Sequence, residues 1–332
     1  MKKISLAVVG VTGMVGRTFL KVLEEKNLPI DKFYAFASKK SAGSQITFNG
    51  KQYVVEELKE DSFDRGIDIA LFSAGGETSR IYSPIAAKKG CIVIDNSSYF
   101  RMDSDVPLVV PEVNPEDIKN NKGIIANPNC STIQAVVALK PLHDKYKIKR
   151  IVYSTYQAVS GAGRAGVVDL QNGLKGEEPK MFLHPIANNC IPHIDNFLDT
   201  GYTKEEMKMI NETKKILHDD SLKITATTVR VPVENSHSES INVEFYNDFD
   251  LTELVSELEN MQGVVVLNDF KNAQYPLATI ANGTDEVYVG RIRRDESVDF
   301  GINMFVVADN IRKGAASNAV QIAEYIIKND LI

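Results

Sequence analysis

Residues 4–16 read Ile-Ser-Leu-Ala-Val-Val-Gly-Val-Thr-Gly-Met-Val-Gly, and this stretch decides the fold. Its first six residues, Ile4–Val9, form an apolar run rich in β-branched side chains, which is typical of a strand buried in a parallel sheet. Apolar residues between Met14 and Leu23 then recur at helical spacing. A strand, a glycine-rich turn and a helix in this order predict the first βα unit of a dinucleotide-binding fold.

The following residues continue this alternation. Apolar runs predict strands at residues 33–37, 67–72, 91–95, 108–110 and 124–126, with a helix at 78–89. Residues 46–55 predict a β-hairpin with Asn49-Gly50 at its turn. Strands that alternate with helices favour an α/β fold, and we therefore expect an N-terminal Rossmann-type, doubly wound parallel sheet.

The pattern changes after residue 130. Longer runs rich in Val, Thr and Tyr predict strands at 149–156, 223–231, 241–246 and 300–307, separated by helices at 163–174, 203–217 and 251–261. We expect an α+β domain with a mainly antiparallel sheet. The amphipathic segment 311–327 is expected to pack back on the first domain. The predicted domains are residues 1–129 with 314–332, and residues 130–313.

Composition excludes several classes of function. The net charge of −6 and the lack of a long Lys/Arg block argue against a nucleic-acid partner. No apolar run approaches the roughly 18 residues of a membrane span, and the apolar N-terminal stretch fits a strand better than a signal peptide. Three cysteines do not suggest a disulfide framework and favour a reducing, cytoplasmic location. Neither a CxxC nor an HExxH motif occurs, so the sequence does not indicate a metal site.

The glycine-rich turn predicts a cofactor site. The glycines show no evident structural use of their own, so we expect a pyrophosphate at this helix N-terminus. The expected contacts come from Gly10, Thr12, Gly13, Met14, Val15 and Gly16. The next strand ends without the carboxylate that binds the ribose hydroxyl of NAD, and continues as Ser38-Lys39-Lys40-Ser41-Ala42. These hydroxyls and cations favour NADP, although lysine lacks the fork of arginine and a solvated basic loop is the alternative.

Cys130 is the strongest candidate for a nucleophile. It follows Asn127-Pro128-Asn129, and the periodic run after it predicts a helix that begins near the cysteine. Backbone N–H groups and the helix dipole at such a terminus favour the reactive thiolate. Cys91 lies within an apolar strand, and we interpret it, together with Cys190, as a packing residue.

These features together resemble the aspartate-β-semialdehyde dehydrogenase family over nearly the whole chain. The resemblance rests on the order of seven motifs: the GxxGxxG turn, Ser38-Lys-Lys-Ser-Ala-Gly43, Asn127-Pro-Asn-Cys130-Ser-Thr, Gln157-Ala-Val-Ser-Gly161, Glu205-Glu-Met-Lys208, Arg230-Val-Pro-Val-Glu-Asn-Ser-His237 and Asp309-Asn-x-x-Lys-Gly-Ala-Ala316. It implies a C-terminal domain similar to that of the phosphorylating glyceraldehyde dehydrogenases. It also implies NADPH-dependent reductive dephosphorylation of L-4-aspartyl phosphate to the semialdehyde, through a thioester on Cys130.

The resemblance also implies a role for individual residues. His237 would be the acid/base, and Gln157 and Asn129 would orient the acyl group. Arg230 would bind the α-carboxylate, Glu205 the ammonium, and Lys208 and Arg101 the phosphate. Ser160, Gly161 and Asn310 match family positions near the nicotinamide. From spacing alone, Glu205 and Lys208 are equally a surface ion pair, because residues three apart share a helix face.

Two alternatives remain open at this point. An N-acetyl-glutamyl-phosphate reductase would use the same thioester chemistry, although its blocked substrate amine would not need Glu205. A non-catalytic dinucleotide sensor would bind the cofactor without turnover. We expect small-molecule partners, namely the substrate and phosphate. A homodimer or a dimer of dimers is expected, because a broad sheet is a common dimer surface.

Overall fold

The computed structural model describes residues 3–332, which form two compact units. The first unit contains the described residues up to Asn129 together with Ala315–Ile332, and the second contains Cys130–Gly314. Among the described residues, no helix is both long and apolar enough to cross a membrane.

The first unit is built on a six-stranded parallel sheet with strand order β5-β2-β1-β6-β7-β8. Its strands are β1 (Ile4–Val9), β2 (Ile30–Ala37), β5 (Glu56–Glu57), β6 (Ile69–Phe72), β7 (Ile92–Asp95) and β8 (Ile124–Ala126). Helix α1 (Met14–Lys26) connects β1 to β2, and α2 (Gly76–Lys88) connects β6 to β7. The strand order reverses between β2 and β6 around the central β1, which confirms the Rossmann-type sheet.

The predicted hairpin of this unit is present, whereas one of its predicted strands is not. The hairpin of β3 (Gln45–Phe48) and β4 (Lys51–Val54) is confirmed, and both of its turn residues, Asn49 and Gly50, have positive φ. The strand predicted at 108–110 is wrong. Leu108 makes only an isolated bridge to Ala126, because the surrounding residues form turns instead of a ladder.

The C-terminal helix contributes to the core of the first unit. Helix α8 (Ser317–Lys328) buries Ala319, Ile322 and Ile326 in the same apolar cluster as Leu6 and Phe19. Burial of this stripe follows from its helical spacing. A short π-helical turn, Arg312–Ala316, precedes α8 where the chain passes from the second unit to the first.

The second unit contains a mixed sheet with strand order β10-β9-β11-β14-β13-β12. Its strands are β9 (Ile148–Gln157), β10 (Lys223–Arg230), β11 (His237–Phe245), β12 (Val264–Val266), β13 (Val287–Asp295) and β14 (Gly301–Ala308). The inner pairings β9–β11, β11–β14 and β14–β13 are antiparallel, whereas the edge strands β10 and β12 pair in parallel. The α/β fold class is therefore confirmed, with parallel edges that the sequence did not predict.

The helices of this unit are α3 (Cys130–Tyr146), α4 (Gly163–Gly173), α5 (Lys204–Leu217), α6 (Leu251–Asn260) and the short α7 (Ala278–Ala281). Strand β13 was not predicted, because its Arg291-Ile-Arg-Arg-Asp segment is largely polar. Strand β11 begins four residues earlier than expected, at His237. This early start places the first residue of the strand beside the ends of β9 and β10, where the polar side chains described below converge.

Candidate active site

Cys130 is the first residue of α3, as the sequence predicted. A Cβ atom on Gly314 would lie 2.8 Å from Cβ and 3.2 Å from Cα of Cys130. The backbone of the π-helical turn therefore packs directly against the cysteine, and only glycine permits this approach. A π-helical turn is frequent at functional sites, and here it supports the candidate nucleophile.

Three polar side chains line one end of the sheet face that α3 and α5 cover. Gln157 ends β9 and is in register with Arg230, which ends β10. His237 begins β11 and lies beside the same strand ends, because its Nδ1 atom accepts a hydrogen bond of 3.0 Å from the N–H of Ala158. We call Arg230, Gln157 and His237 the first polar row. All three are at least 93% buried.

The hydrogen bond from Ala158 determines the tautomer of His237. Since Nδ1 is an acceptor, the proton of the neutral ring is on Nε2. Nε2 is buried without a hydrogen-bond partner among residues 3–332. Burial and, to a smaller extent, the nearby positive charge of Arg230 lower the pKa of His237 to about 3, and the negative charge of Glu205 opposes them less strongly. The imidazole is therefore neutral near pH 7 and can accept a proton at Nδ1 only by giving up the bond to Ala158.

Arg230 is held by the same peptide unit. Its Nη1 atom donates to the carbonyl of Ala158 at 2.7 Å. Burial lowers the pKa of Arg230, while the charges of Glu205 and Cys130 raise it. A Cβ on Gly161 would lie 2.9 Å from Nη1 of Arg230 and 3.2 Å from Cε1 of His237. Gly161 therefore has a packing role at the first polar row, in addition to its predicted position near the nicotinamide.

Gln157 connects the surroundings of Cys130 to an acidic residue on α5. Its Nε2 atom donates to Oγ of Ser131 at 2.6 Å and to Oε1 of Glu205 at 3.0 Å. The other oxygen of Glu205 accepts from Nζ of Lys208 at 3.0 Å. The predicted helix pair thus exists as an ion pair, but Glu205 is 6% exposed and belongs to the buried site, not to the surface.

Lys208 has a second partner that the sequence did not indicate. Its Nζ atom lies 2.8 Å from Oδ2 of Asp195, a residue of the loop before α5. Burial lowers the pKa of Lys208, but the charges and hydrogen bonds of Glu205 and Asp195 outweigh burial and raise it. The pairing partner lies 13 residues away along the chain, so helix periodicity could not reveal it.

Glu206 has a structural role. It forms a capping box with Thr203: the Thr203 N–H donates to Glu206 Oε2 at 2.7 Å, and the Glu206 N–H donates to Thr203 Oγ1 at 3.2 Å. Its Oε1 atom also accepts from the N–H of Thr228 on β10. A capping box fixes the start of a helix, and here it fixes the turn of α5 that carries Glu205.

The predicted nicotinamide-site residues Ser160 and Asn310 contact each other and the segment before His237. Asn310 donates to Oγ of Ser160 at 2.9 Å and accepts from the N–H of Ser236 at 2.8 Å. Ser236 has φ of +74°, a conformation that is uncommon for residues other than glycine. Asn310 therefore stabilises a strained turn directly before His237, and sequence reasoning missed this function.

The glycine-rich turn has the form expected for phosphate binding. Helix α1 begins at Met14 after Gly13, with no side-chain cap and no acidic residue in its first turn. However, a Cβ on Gly10 would lie 2.2 Å from the carbonyl oxygen of Ser73, and one on Gly16 would lie 2.1 Å from that of Gly10. The expectation that these glycines lack a structural use is wrong, because both permit close backbone packing.

The loop after β2 approaches this turn. Thr12 and Ser41 are joined through their hydroxyls at 3.4 Å, and the main-chain N–H groups of Ser41 and Ala42 donate to the carbonyl of Ser38. Lys39 and Lys40 are exposed. Arg17, which was not predicted, donates from Nε to the carbonyl of Thr12 and adds an exposed guanidinium beside the turn.

The remaining predicted site residues belong to the first unit. Arg101 is buried and donates from Nε to the carbonyl of Asn127 at 2.9 Å and from Nη2 to that of Asn96 at 3.0 Å. It therefore links the loops that follow β7 and β8. Asn129 is 6% exposed and directly precedes Cys130 in the chain.

The other cysteines differ from Cys130 and from each other. Cys91 is buried, and burial raises its pKa to about 12, which agrees with a packing role. Cys190 is exposed, so its interpretation as a packing residue is wrong. Its neighbour Ile191 forms the bridge to Arg230, whereas the side chain of Cys190 remains at the surface. Among the residues that the structure describes, no group of three His, Cys, Asp or Glu side chains could hold a metal ion.

Two family comparisons cover most of the chain. Residues 5–121 match the semialdehyde dehydrogenase NAD binding domain, and residues 139–313 match the semialdehyde dehydrogenase dimerisation domain. With a Rossmann-type sheet in one unit and a buried Cys/His/Arg site in the other, the chain is an NAD(P)-binding oxidoreductase that acts on an aldehyde.

Comparison with individual proteins identifies the family more narrowly. The chain is 57% identical to the aspartate-semialdehyde dehydrogenase of Aquifex aeolicus, over 98% of this chain and 99% of that protein. It is 49% identical to aspartate semialdehyde dehydrogenase II of Vibrio cholerae complexed with ASA, with a TM-score of 0.95 and 99% coverage of both chains. The enzyme of Candida albicans with NADP is 27% identical, covers both chains completely (100% each) and has a TM-score of 0.81. The chain belongs to the aspartate-semialdehyde dehydrogenase family.

Proposed function

We propose that the chain catalyses the NADPH-dependent reductive dephosphorylation of L-4-aspartyl phosphate to L-aspartate 4-semialdehyde, a step of amino-acid biosynthesis. The observation that carries this proposal is the convergence of Arg230, Gln157, His237 and Glu205 around one buried polar site in the unit that begins with Cys130. Together with Cys130, this set provides a cation, an anion, a base and a nucleophile. Together these groups fit an α-amino acid with a reactive side-chain acyl group.

The charged residues of the site would bind the substrate. Arg230 uses one Nη1 bond to hold itself to Ala158, and the rest of its planar fork is suited to the α-carboxylate. Glu205 would bind the α-ammonium, a role that supports an unblocked amino acid over an N-acetylated one. Lys208 and Arg101 would bind the phosphate. Lys208 would do so with the same ammonium group that is paired with Glu205.

The covalent step would begin at Cys130. His237 accepts the thiol proton at Nδ1, which gives up its bond from the Ala158 N–H, and the sulfur forms a bond to the acyl carbon. The bond from that carbon to the phosphate oxygen breaks, phosphate leaves with the electron pair, and a thioester remains on Cys130. Asn129 and Gln157 would orient the acyl group during this step. A neutral imidazole is required to accept the proton, and the low pKa of His237 ensures that it is neutral near pH 7.

In the second half of the reaction, Cys130 changes from nucleophile to leaving group. The reduced nicotinamide, when bound, supplies a hydride for the thioester carbon. Protonated His237 would then hydrogen-bond to the resulting tetrahedral oxyanion and keep its proton. Cleavage of the carbon–sulfur bond releases the aldehyde and leaves the thiolate, which the imidazolium reprotonates.

The first unit fits the dinucleotide. The uncapped N-terminus of α1, with the close-packed turn formed by Gly10, Gly13 and Gly16, can accommodate a pyrophosphate. Thr12, Met14 and Val15 complete this turn, and Ser38, Lys40, Ser41 and Ala42 would hold the adenosine side of the cofactor. We propose NADP over NAD because the loop after β2 offers hydroxyls and cations and no carboxylate between Ser38 and Ser44.

We further propose that the chain forms a homodimer through the open face of the second unit's sheet. Tyr156 is 40% exposed on this face and lies 6.3 Å from the ring of Phe305, measured between ring centroids. Buried and less buried residues alternate along β11, which leaves Ser238, Ser240 and Asn242 on the less buried side. The match of residues 139–313 to a dimerisation domain supports this assignment. We also propose that the two compact units correspond to the cofactor-binding domain and the catalytic domain.

The decisive experiment is a spectrophotometric assay of the reverse reaction. Purified protein is mixed with aspartate semialdehyde, phosphate and either NADP or NAD, and formation of the reduced cofactor is measured. We expect turnover with aspartate semialdehyde and a preference for NADP. Turnover of N-acetyl-glutamate semialdehyde alone would reject the substrate assignment, and cofactor binding without any turnover would favour a sensor.

The nucleophile has a matched control within the chain. We expect Cys130→Ala to abolish turnover while cofactor binding, measured by fluorescence titration, is retained. Cys190→Ala makes the same chemical change at an exposed cysteine and should retain the wild-type rate. If Cys130→Ala kept near-wild-type activity, the thioester mechanism would be rejected.

A further inference from the structure

A second polar row lies directly beneath the first. Thr155 on β9 is in register with Thr228 on β10 and with Glu239 on β11. Each of the three residues is two positions from a member of the first polar row on the same strand, so the two rows share a sheet face. We call Thr228, Thr155 and Glu239 the second polar row. All three are 0% exposed.

The second polar row has hydrogen-bonding capacity that the protein does not use. Both carboxyl oxygens of Glu239 and the hydroxyls of Thr155 and Thr228 have no partner among residues 3–332. Two amide oxygens share this property: Oε1 of Gln157 in the first row and Oε1 of Gln134 on α3. Polar groups in native interiors are hydrogen-bonded, and buried water satisfies those that lack a protein partner. Six such atoms on one sheet face and on the helix that covers it therefore favour ordered water between the rows.

The orientation of both glutamines is determined by their partners. Nε2 of Gln134 faces the carbonyls of His237 and Val306, and Nε2 of Gln157 faces the Glu205 carboxylate. A flipped amide would place oxygen against oxygen in each case, so Oε1 is an acceptor at both positions. These acceptors require donors, which the hydroxyls of Thr155 and Thr228, water and a protonated Glu239 can supply.

Glu239 can supply such a donor only in its protonated form, because an ionised carboxylate is an acceptor alone. Burial raises the pKa of Glu239 well above its usual value, and the negative charge of Glu205 raises it further. No basic side chain is paired with Glu239 among the described residues, while Tyr153 lies on the same face of the neighbouring strand and Glu205 approaches from α5. The surroundings of Glu239 thus favour a neutral carboxylic acid.

We propose that Glu239 is a positioning residue for the reaction and acts in its uncharged form. It donates, through water held between the two polar rows, to Oε1 of Gln157. This proposal rests on the function proposed above. Gln157 in turn bridges Ser131, which is next to Cys130, and Glu205, the proposed ligand of the substrate ammonium. A change at Glu239 is therefore transmitted both to the nucleophile and to substrate binding.

The test compares two substitutions that remove the carboxyl group. Glu239→Met is neutral and similar in size but has no donor, whereas Glu239→Gln is neutral and retains one. We expect Glu239→Met to raise KM for aspartate semialdehyde and lower kcat, with kcat/KM falling about tenfold or more, the effect of leaving a buried acceptor unsatisfied. We expect Glu239→Gln to restore most of this loss with an unchanged pH profile.

A matched control lies on the same strand. Glu244 is on β11 but on the opposite face, where it pairs with Lys149 at 2.6 Å. Glu244→Gln, which retains the size and a hydrogen-bonding group at the proposed dimer face, should leave kcat/KM unchanged. A double-mutant cycle with Gln157→Met should be non-additive, since Glu239 acts through Gln157, whereas an independent structural defect would add to the loss.

Infrared spectroscopy provides a readout that requires neither substrate nor turnover. Near pH 7 the wild-type protein should show the carbonyl stretch of a protonated carboxylic acid, which Glu239→Gln should remove and Glu244→Gln should retain. Absence of this band in the wild type, or an altered pH profile in Glu239→Gln, would overturn the proposal even if Glu239→Met does not fold. Failure of the proposed function would instead appear as a wild-type protein that has the band but does not turn over aspartate semialdehyde.

Discussion

Replacing Gly314 by alanine tests whether the π-helical turn positions the nucleophile. The new Cβ would lie 2.8 Å from Cβ of Cys130, where carbon atoms ordinarily approach to about 3.5–4.0 Å. The two backbones must therefore separate by roughly 1 Å. A displacement of about 1 Å at a reacting group can cost on the order of 10²-fold in rate. We expect kcat of Gly314→Ala to fall by about that factor.

The assay is the reverse reaction, followed by NADPH absorbance, together with the rate at which iodoacetamide alkylates Cys130. Cofactor affinity and the unfolding temperature serve as controls for a general defect. Cofactor affinity and the unfolding temperature should both change little, because Cys130 is the only residue with an atom within 3 Å of the new methyl group. A variant with kcat within threefold of the wild type, or one that loses activity only because it unfolds, would refute the argument that this contact positions the thiol.

Three further substitutions have defined expectations. His237→Asn should lower kcat by about 10²–10⁴-fold while cofactor binding, measured by titration, is retained, because only the proton transfer is removed. Glu206→Ala removes the capping box of α5 and the bond to Thr228, and calorimetry should show a loss of about 1–3 kcal/mol in unfolding free energy. The carboxylate of Asp169 accepts hydrogen bonds from the backbone N–H groups of Lys180, Met181 and Phe182. Burial raises its pKa, but these bonds outweigh burial and lower it. Asp169→Asn should therefore destabilise the protein by about 1–3 kcal/mol near pH 7. That difference should shrink as the pH falls below the carboxyl's unfolded value and through its lowered folded value; a difference that stays constant with pH would contradict the assignment.

The sequence predicted most of the first unit because its strands are short, apolar and bounded by strong turn signals. The exception at residues 108–110 shows the limit of this reasoning. Leu108, Val109 and Val110 are buried like strand residues, but Val109 and Ala126 are linked by a single N–H to carbonyl bond beside an isolated bridge. Apolar composition reports burial, and it does not report whether neighbouring backbone groups form a ladder.

Predictions for the second unit were limited by a different effect. The polar segment of β13 is a strand because β14 provides its hydrogen bonds, and no local pattern in the sequence contains that information. The same holds for the site. Cys130, His237, Arg230, Gln157 and Glu205 were all found from motifs, whereas the Ala158 peptide that joins Arg230 to His237 acts through backbone atoms that any residue would provide.

Glu239 shows why the second polar row was missed. In the sequence it belongs to the run Ser-His-Ser-Glu-Ser, in which every residue is polar. Burial alternates along this part of β11, but the buried positions are not marked by apolar residues. Periodicity identifies a buried face by its apolar residues, so it fails where the buried face is itself polar. Such failures occur at functional sites, because a polar interior costs stability unless it serves another purpose.

Arg230 couples substrate binding to the basicity of His237. In the free protein, burial and the charge of Arg230 together lower the pKa of His237 to about 3, and the opposing effect of Glu205 is the smallest of the three. In the proposed complex the substrate carboxylate pairs with Arg230 and the substrate ammonium pairs with Glu205, so both influences are reduced together. Since the influence of Arg230 is the larger, we expect the pKa of His237 to rise when both are reduced. The imidazole would then be a better proton acceptor when an α-amino acid occupies the site, and activation of Cys130 would depend on the presence of the substrate it attacks.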